Sequence, residues 1–160
     1  MALQNSLDAL DRSGVVLFPS DTVLGLGCDA TNQDAVKAIF LIKNRSQNKS
    51  LIALVADMEM LTTYVESIPE SVHEILKGNS SPTTIVYPKA KGIAPMAMAE
   101  DGSMAFRIPK SGFALDLVKS FGKPIIATSA NLSGEPITEN ESQVNRRILE
   151  QVDYVVPLKS

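Results

Sequence analysis

The chain has 160 residues and a formal net charge of −3 at pH 7, and 44% of its residues are hydrophobic. These proportions are typical of one soluble globular domain, and the negative charge argues against indiscriminate nucleic-acid binding through a basic surface. With His73 and Cys28 as the only histidine and cysteine, the chain lacks a Cys/His zinc site and an internal disulfide. There is also no signal peptide and no apolar run near the roughly 20 residues of a membrane span, so we expect a cytoplasmic protein.

Helical periodicity and short apolar runs alternate along the chain. The predicted elements are a helix over 3–10, a strand over 15–18, irregular or extended chain over 22–27, a helix from about 31 to 43, a strand over 51–55, helices over 57–65 and 69–77, strands over 83–87 and 104–108, a helix over 112–121, a strand over 124–128, a helix over 141–151 and a strand over 154–156. Leu115 and Val118 are predicted to face the core, and residues 89–101 form a loop that could cover a site. This mixture predicts an α/β or α+β fold around one twisted sheet, in a single domain over 1–160.

The predicted helix that ends at Lys43 carries Val36, Ile39 and Phe40 on its core face. Lys43 follows Val36 by seven residues, so it lies at the C-terminal edge of the same face. A cation there complements the helix dipole. We therefore expect the Lys43 side chain to lean over a cleft beside the core.

Two motifs of small and hydroxyl residues, 19–27 and 128–134, flank a basic cluster of Lys43, Arg45 and Lys49. Hydroxyls, glycines and fixed cations together suit an anionic, phosphate-bearing ligand. The plain alternatives are a solvated helix end for the cluster and an ordinary turn for the second motif. However, a buried strand follows the cluster directly. The second motif also leaves the C-terminal end of a strand, where open α/β sheets bind ligands.

Two further features have competing interpretations. Gly25 to Ala30 matches the dinucleotide fingerprint G-x-G-x-x-[GA], but the helix cap comes later, at Thr31, and no acidic residue has the expected spacing. We therefore consider a dinucleotide site unlikely. Arg107 lies inside an apolar strand, which indicates either a buried ion pair or a ligand anchor.

Taken together, the motifs resemble those of the YrdC-type family, the threonylcarbamoyl-AMP synthases, over about residues 3–157. The corresponding segments are 19–27 for the family's P-T-[DE]-T-V-Y-G-L-G, Lys43 and Arg45 for its K-x-R, 82–84 for its Pro-x-Thr, 107–109 for its R-x-P, and 128–134 for its T-S-A-N-x-S-G. The chain differs from the family pattern at Ser20, Leu24 and Ser50, where the family usually has threonine, tyrosine and proline. Several collinear motifs are more specific than any one of them.

The resemblance implies a YrdC/RibB-like twisted mixed sheet with flanking helices around a positively lined concave cavity. It implies a nucleotidyltransferase that joins L-threonine, bicarbonate and ATP, with Mg²⁺, into threonylcarbamoyl-AMP and pyrophosphate. Threonylcarbamoyl-transfer proteins then modify tRNA. One alternative is a diverged non-catalytic paralogue that binds double-stranded RNA, tRNA or the ribosome. Another is a carbamoyl-transfer domain like the similar segment of hydrogenase-maturation proteins.

The resemblance also implies residue roles. Lys43 and Arg45 would hold the phosphates and the threonine or carbamate carboxylate. The nucleotide-binding residues would be Lys49, Ser129, Asn131 and Ser133. The residues that bind threonine and bicarbonate would be Ser20, Thr22, Thr84 and Arg107. No protein ligand is expected for the metal, because Mg²⁺ would bind mostly phosphate oxygens and water.

Overall fold

The computed structural model of the protein describes residues 1–20, 23–44, 51–78, 83–136 and 144–157. Its elements are α1 (Ala2–Asp11), β1 (Val16–Pro19), β2 (Leu24–Asp29), α2 (Gln33–Lys43), β3 (Ile52–Leu54), α3 (Met58–Tyr64), α4 (Glu70–Gly78), β4 (Thr84–Tyr87), a 3₁₀ turn (Pro95–Ala97), β5 (Met104–Arg107), α5 (Phe113–Phe121), β6 (Ile125–Ser129), α6 (Arg146–Gln151) and β7 (Tyr154–Val155). Each predicted helix and strand has a counterpart, and the segment 22–27, expected to be irregular or extended, contributes residues 24–27 to β2. None of the described helices has the length and apolar character of a membrane span.

Seven strands form one mixed sheet in the order β4-β5-β3-β6-β2-β1-β7. The long central pairing is between β2 and β6, which run antiparallel. Strand β3 runs antiparallel to β6 and parallel to β5, and β7 runs parallel to β1. The predicted mixed sheet with flanking helices is therefore confirmed.

Helices cover both faces of the sheet. On one, which we call the α2 face, α2 packs Ile39 among Leu26 and Ile126. On the other, the α5 face, α1 and α5 pack against Phe18 and Ile125. This division follows from the alternation of side chains along each strand. The central strands are consequently buried on both faces.

Local sequence explains where α2 begins and ends. Asn32 is its N-cap, and its side-chain oxygen accepts the N–H of Ala35 at 3.1 Å, which satisfies one of the free donors of the first turn. Asn44 ends the helix in the left-handed conformation, with φ of 53°, which asparagine tolerates better than most residues. The helix therefore ends directly after Lys43, as predicted.

Two expectations about helices are wrong. The last helix begins at Arg146 rather than at 141, because Asn145 is its N-cap and accepts the N–H of Arg147 at 2.9 Å. Residues 141–143 lie outside the described residues. In α5 the buried residue is Leu117, next to Val118, whereas Leu115 is only half-buried.

Candidate functional site

Lys43 joins the last turn of α2 to the end of β6. Its Nζ donates to the carbonyl oxygen of Ser129 at 2.6 Å and to Oγ1 of Thr128 at 3.0 Å, and Oγ of Ser129 lies at 3.4 Å. The carbonyl oxygen of Lys43 accepts the N–H of Ser133 at 2.9 Å. Only 2% of Lys43 is exposed. The residue therefore contacts the second motif through both its side chain and its backbone.

The segment after β6 is held by its own hydrogen bonds. The N–H of Asn131 donates to the carbonyl of Ser129 at 3.0 Å, and the N–H of Glu135 donates to that of Leu132 at 3.0 Å. The Nδ2 group of Asn131 donates to the carbonyl oxygens of Leu132 and Glu135 at 3.1 and 2.9 Å. The segment is therefore shaped by contacts within the protein.

The same amide has a second, unsatisfied atom. Oδ1 of Asn131 is buried and has no hydrogen-bond partner in the described part of the chain. The two carbonyls that Nδ2 meets fix the orientation of the amide, so Oδ1 must act as an acceptor. A buried acceptor without a donor costs about 1–3 kcal/mol.

Strand register places several predicted site residues on the α5 face. Partners across a ladder share a face, as do residues two apart in a strand. The connected positions on this face are Ser129, Ala127, Ile52, Ala105, Arg107 and Thr84. Arg107 in β5 is level with Ile125 in β6, which is two strands away. Ile125 lies four residues before Ser129 in the same strand. The backbone positions of Ser129 and Arg107 are therefore roughly 16 Å apart.

Ser20 lies near the Ser129 end of this face. A Cβ atom on Gly25 would be 3.7 Å from Cβ of Ser20, and Gly25 is the ladder partner of Ser129. The Ser20 hydroxyl donates to the carbonyl of Val23 and accepts its N–H. Ser20 therefore closes a local turn beside the end of β6.

The predicted site residues thus divide into three groups. Lys43, Ser129, Asn131, Ser133 and Ser20 gather at the C-terminal end of β6. Arg107, which is buried, and Thr84, which is exposed, are ladder partners near the sheet edge. Thr22, Arg45 and Lys49 lie outside the described residues. The sequence assigned no role to Thr128, although its place beside Ser129 at a strand end was the available signal.

Other chemistry is limited among the residues described. Cys28 is fully buried, and its burial, together with the nearby charge of Asp29, raises the pKa of the thiol. It therefore stays protonated and unreactive. The described ranges contain no group of three His, Cys, Asp or Glu residues that could hold a metal ion.

A cavity of about 360 Å³ lies elsewhere, between α3 and α4. Its lining residues are Met58, Glu70, His73, Leu76 and Lys77. None of these was predicted to belong to the site. The cavity is therefore separate from the group at the end of β6.

The chain as a whole is similar to known proteins. A Sua5/YciO/YrdC family model, described as telomere recombination, matches residues 8–159. The threonylcarbamoyl-AMP synthase of Vibrio cholerae is 32% identical over 161 residues, which cover 99% of this chain and 86% of that protein. The enzyme of the same name from Methylococcus capsulatus is 37% identical over 134 residues, which cover 82% and 72% respectively.

A solved structure has the same fold. The crystal structure of P. abyssi Sua5 complexed with L-threonine matches with a TM-score of 0.89 and 30% sequence identity. The match covers 96% of this chain and 45% of the P. abyssi chain, so the present chain spans about half the length of that relative. Because the family model and the V. cholerae relative both match nearly all of it, the chain belongs to the Sua5/YciO/YrdC family.

Proposed function

We propose that the protein is an L-threonylcarbamoyladenylate synthase, a nucleotidyltransferase that uses L-threonine, bicarbonate and ATP. The observation that carries this proposal is the match to threonylcarbamoyl-AMP synthases over almost the whole chain. The shared fold with a Sua5 protein solved with L-threonine supports it. The product would supply tRNA threonylcarbamoyladenosine modification through separate transfer proteins.

The reaction has two bond-forming steps. The threonine nitrogen attacks the bicarbonate carbon and water leaves, which gives a carbamate. A carbamate oxygen then attacks the α-phosphorus of ATP, the bond from that phosphorus to the bridging oxygen breaks, and pyrophosphate leaves. Because the reactants are anionic and no protein nucleophile is needed, the protein assists by positioning and by fixed positive charge. A site of hydroxyls, amides and cations suits this reaction.

The arrangement on the α5 face supports a division of labour between the two ends. Ser129, Asn131 and Ser133 hold the nucleotide, and Ser20 beside them meets threonine or bicarbonate where the substrates react. Arg107, roughly 16 Å from Ser129, and Thr84, one strand farther away, contact a different part of the combined substrates. A ligand set as long as ATP plus threonine can span this distance.

The unsatisfied Oδ1 of Asn131 narrows its proposed role. A triphosphate that is fully ionised offers no hydrogen-bond donor, so this oxygen and a phosphate oxygen would repel each other. Ribose hydroxyls and amines are donors. We therefore assign Asn131 to the sugar side of the nucleotide rather than to its phosphates.

The phosphates need cations, and the proposal gives Arg45 and Lys49 direct contact with them, with Lys43 adding positive charge at the end of β6. Mg²⁺ enters as part of the MgATP substrate. It prefers phosphate oxygens and water, which suits the lack of an acidic or histidine cluster among the residues described. The ion would neutralise charge on the phosphates.

The deciding experiment measures pyrophosphate release from ATP with bicarbonate and magnesium, with and without L-threonine, and detects the adenylate by mass. We expect threonine-dependent release and the adenylate. Arg45→Met should lose at least about 100-fold in activity, whereas Lys119→Met, which removes the same charge from the exposed face of α5, should keep it.

Folded protein that forms no adenylate would refute the proposal. Salt-sensitive retention of RNA without turnover would then favour the RNA-binding paralogue. That alternative is not favoured at present, because the similar proteins carry an enzyme name over nearly the whole chain.

A further inference from the structure

The Lys43 ammonium is committed to the protein. An ammonium has three N–H donors, and three oxygens of Thr128 and Ser129 lie within 3.4 Å of Nζ. Burying such a charge is costly unless it is well hydrogen-bonded. With 2% of the residue exposed, these contacts direct the ammonium at the end of β6 rather than at solvent.

Lys43 also approaches β6 from the side opposite the proposed substrates. Thr128 is the ladder partner of Leu26, which lies on the α2 face, while Ser129 follows on the α5 face with Arg107. Lys43 extends from α2, and its Nζ contacts Oγ1 of Thr128 on the same face and the Ser129 carbonyl at the strand end. The charge therefore lies behind the strand end, whereas the Ser129 side chain belongs to the front.

The contacts of Lys43 extend to the whole second motif. The Ser129 carbonyl accepts both the Lys43 ammonium and the N–H of Asn131. The Lys43 carbonyl accepts the N–H of Ser133. A shift of the ammonium would therefore displace Ser129 and, through its carbonyl, Asn131, while Ser133 is bonded to the backbone of Lys43.

We propose that Lys43 is a positioning residue, which holds the end of β6 through Thr128 and Ser129, and that Thr128 is its partner in this role. Lys43 acts on the nucleotide through the placement of Ser129 and Asn131, without touching the phosphates. This inference rests on the proposed function for the identity of the ligand.

The test measures ATP and AMP affinity by calorimetry for a set of variants of the full chain. Thr128→Val removes the acceptor while keeping the shape, and Thr128→Ser keeps the acceptor. We expect Lys43→Met to lose about tenfold in affinity, the scale of one hydrogen bond to a charged group. Thr128→Val should lose about threefold or more, equally for ATP and AMP, while Thr128→Ser stays within about twofold.

The double variant tests the partnership. If Thr128 acts through Lys43, adding Thr128→Val to Lys43→Met weakens binding no further, because the interaction is already lost. Losses that multiply would instead mean that Thr128 contacts the nucleotide itself, and would overturn the inference. A loss for Lys43→Met that is more than about tenfold larger for ATP than for AMP would also overturn it, because a difference of that size corresponds to a direct hydrogen bond between a charged group and the outer phosphates.

Two controls keep the outcome clear. If Lys43→Met does not fold, the comparison of Thr128→Val with Thr128→Ser decides, and equal affinities of the two overturn the inference. A purely structural role would lower the unfolding temperature of Thr128→Val without changing nucleotide affinity in the folded protein, which also overturns it. Wild-type protein that binds no ATP would instead count against the proposed function, before any variant is compared.

Discussion

Replacing Gly27 by alanine tests how closely the central strands pack. Gly27 lies in β2 between β1 and β6. A Cβ atom built on it would lie 2.6 Å from Cε1 of Phe18 and 2.7 Å from the carbonyl oxygen of Ile126. Both separations are well below normal contact, so either a backbone or a ring has to move.

Neither neighbour can move easily. Phe18 is fully buried and packs against Phe113, with ring centroids 6.5 Å apart, while Ile126 belongs to a strand paired on both sides. Overpacking of this kind costs about 1–3 kcal/mol. The reduced freedom of the unfolded chain offsets only about 0.4–1 kcal/mol. We expect Gly27→Ala to lower the free energy of unfolding by about 2 kcal/mol, or the unfolding temperature by about 4–8 °C.

Gly25 provides the matched control two residues earlier in the same strand. A Cβ there would be 3.5 Å or more from its neighbours, which is ordinary contact, so Gly25→Ala should be neutral or slightly stabilising. Urea unfolding followed by circular dichroism gives both values. Equal stabilities of the two variants would refute the packing account of Gly27.

Substitutions at three further sites test burial. The pKa of the Cys28 thiol is raised mainly by burial, so the folded chain keeps a proton that the unfolded chain loses above about pH 8.5, and stability falls as pH rises. In Cys28→Ala the free energy of unfolding should fall less steeply with rising pH than in the wild-type protein. Equal slopes for the two proteins would contradict this. Asp29→Ala should lower the free energy of unfolding more than Lys123→Met does. The buried Asp29 also accepts two hydrogen bonds from Thr31, while Lys123 is half-exposed. Urea titration that ranks the two variants in reverse would refute this. Leu24→Tyr should lower the free energy of unfolding by about 1–3 kcal/mol, because it overpacks a buried position. This loss should exceed that of Leu24→Met when both are measured by thermal unfolding.

The sequence predicted the elements well where one residue pattern dominates. The stripe of Val36, Ile39 and Phe40 located α2 and its buried face, because helical periodicity does not depend on distant contacts. The start of α6 was wrong because the cap at Asn145 is a single local interaction inside a polar stretch. In α5, the choice of Leu115 rather than Leu117 was an error in the phase of the helical face.

In the site, too, the sequence predicted what depends on local pattern and missed what depends on distant contacts. The spacing from Val36 predicted that Lys43 lies at the edge of the buried face, and its exposure of 2% agrees. Its partners, Thr128 and Ser129, are more than 80 residues away in sequence, and only the pairing of β2 with β6 brings that strand end to α2. No local pattern encodes this contact.

The glycines of the dinucleotide-like motif have a structural use instead. Gly25 and Gly27 lie inside β2, and the next helix opens only after Asn32, so no helix N-terminus faces a ligand at the glycines. The small size of Gly27 lets Phe18 and the carbonyl of Ile126 approach the strand. This geometry differs from that of the dinucleotide fingerprint, in which a helix opens at the glycines.

A net charge of −3 is compatible with anionic substrates, because what matters is the charge near the ligand. Exposed charges more than about 8 Å away are screened at physiological salt, whereas a charge in a partly desolvated site acts at nearly full strength. The buried ammonium of Lys43 keeps a fixed position through three oxygens, so it needs no rearrangement when a ligand arrives. A positive charge fixed behind the strand end would favour an anion on the far side even without contact. The protein can therefore attract its proposed substrates locally while its surface as a whole remains negative.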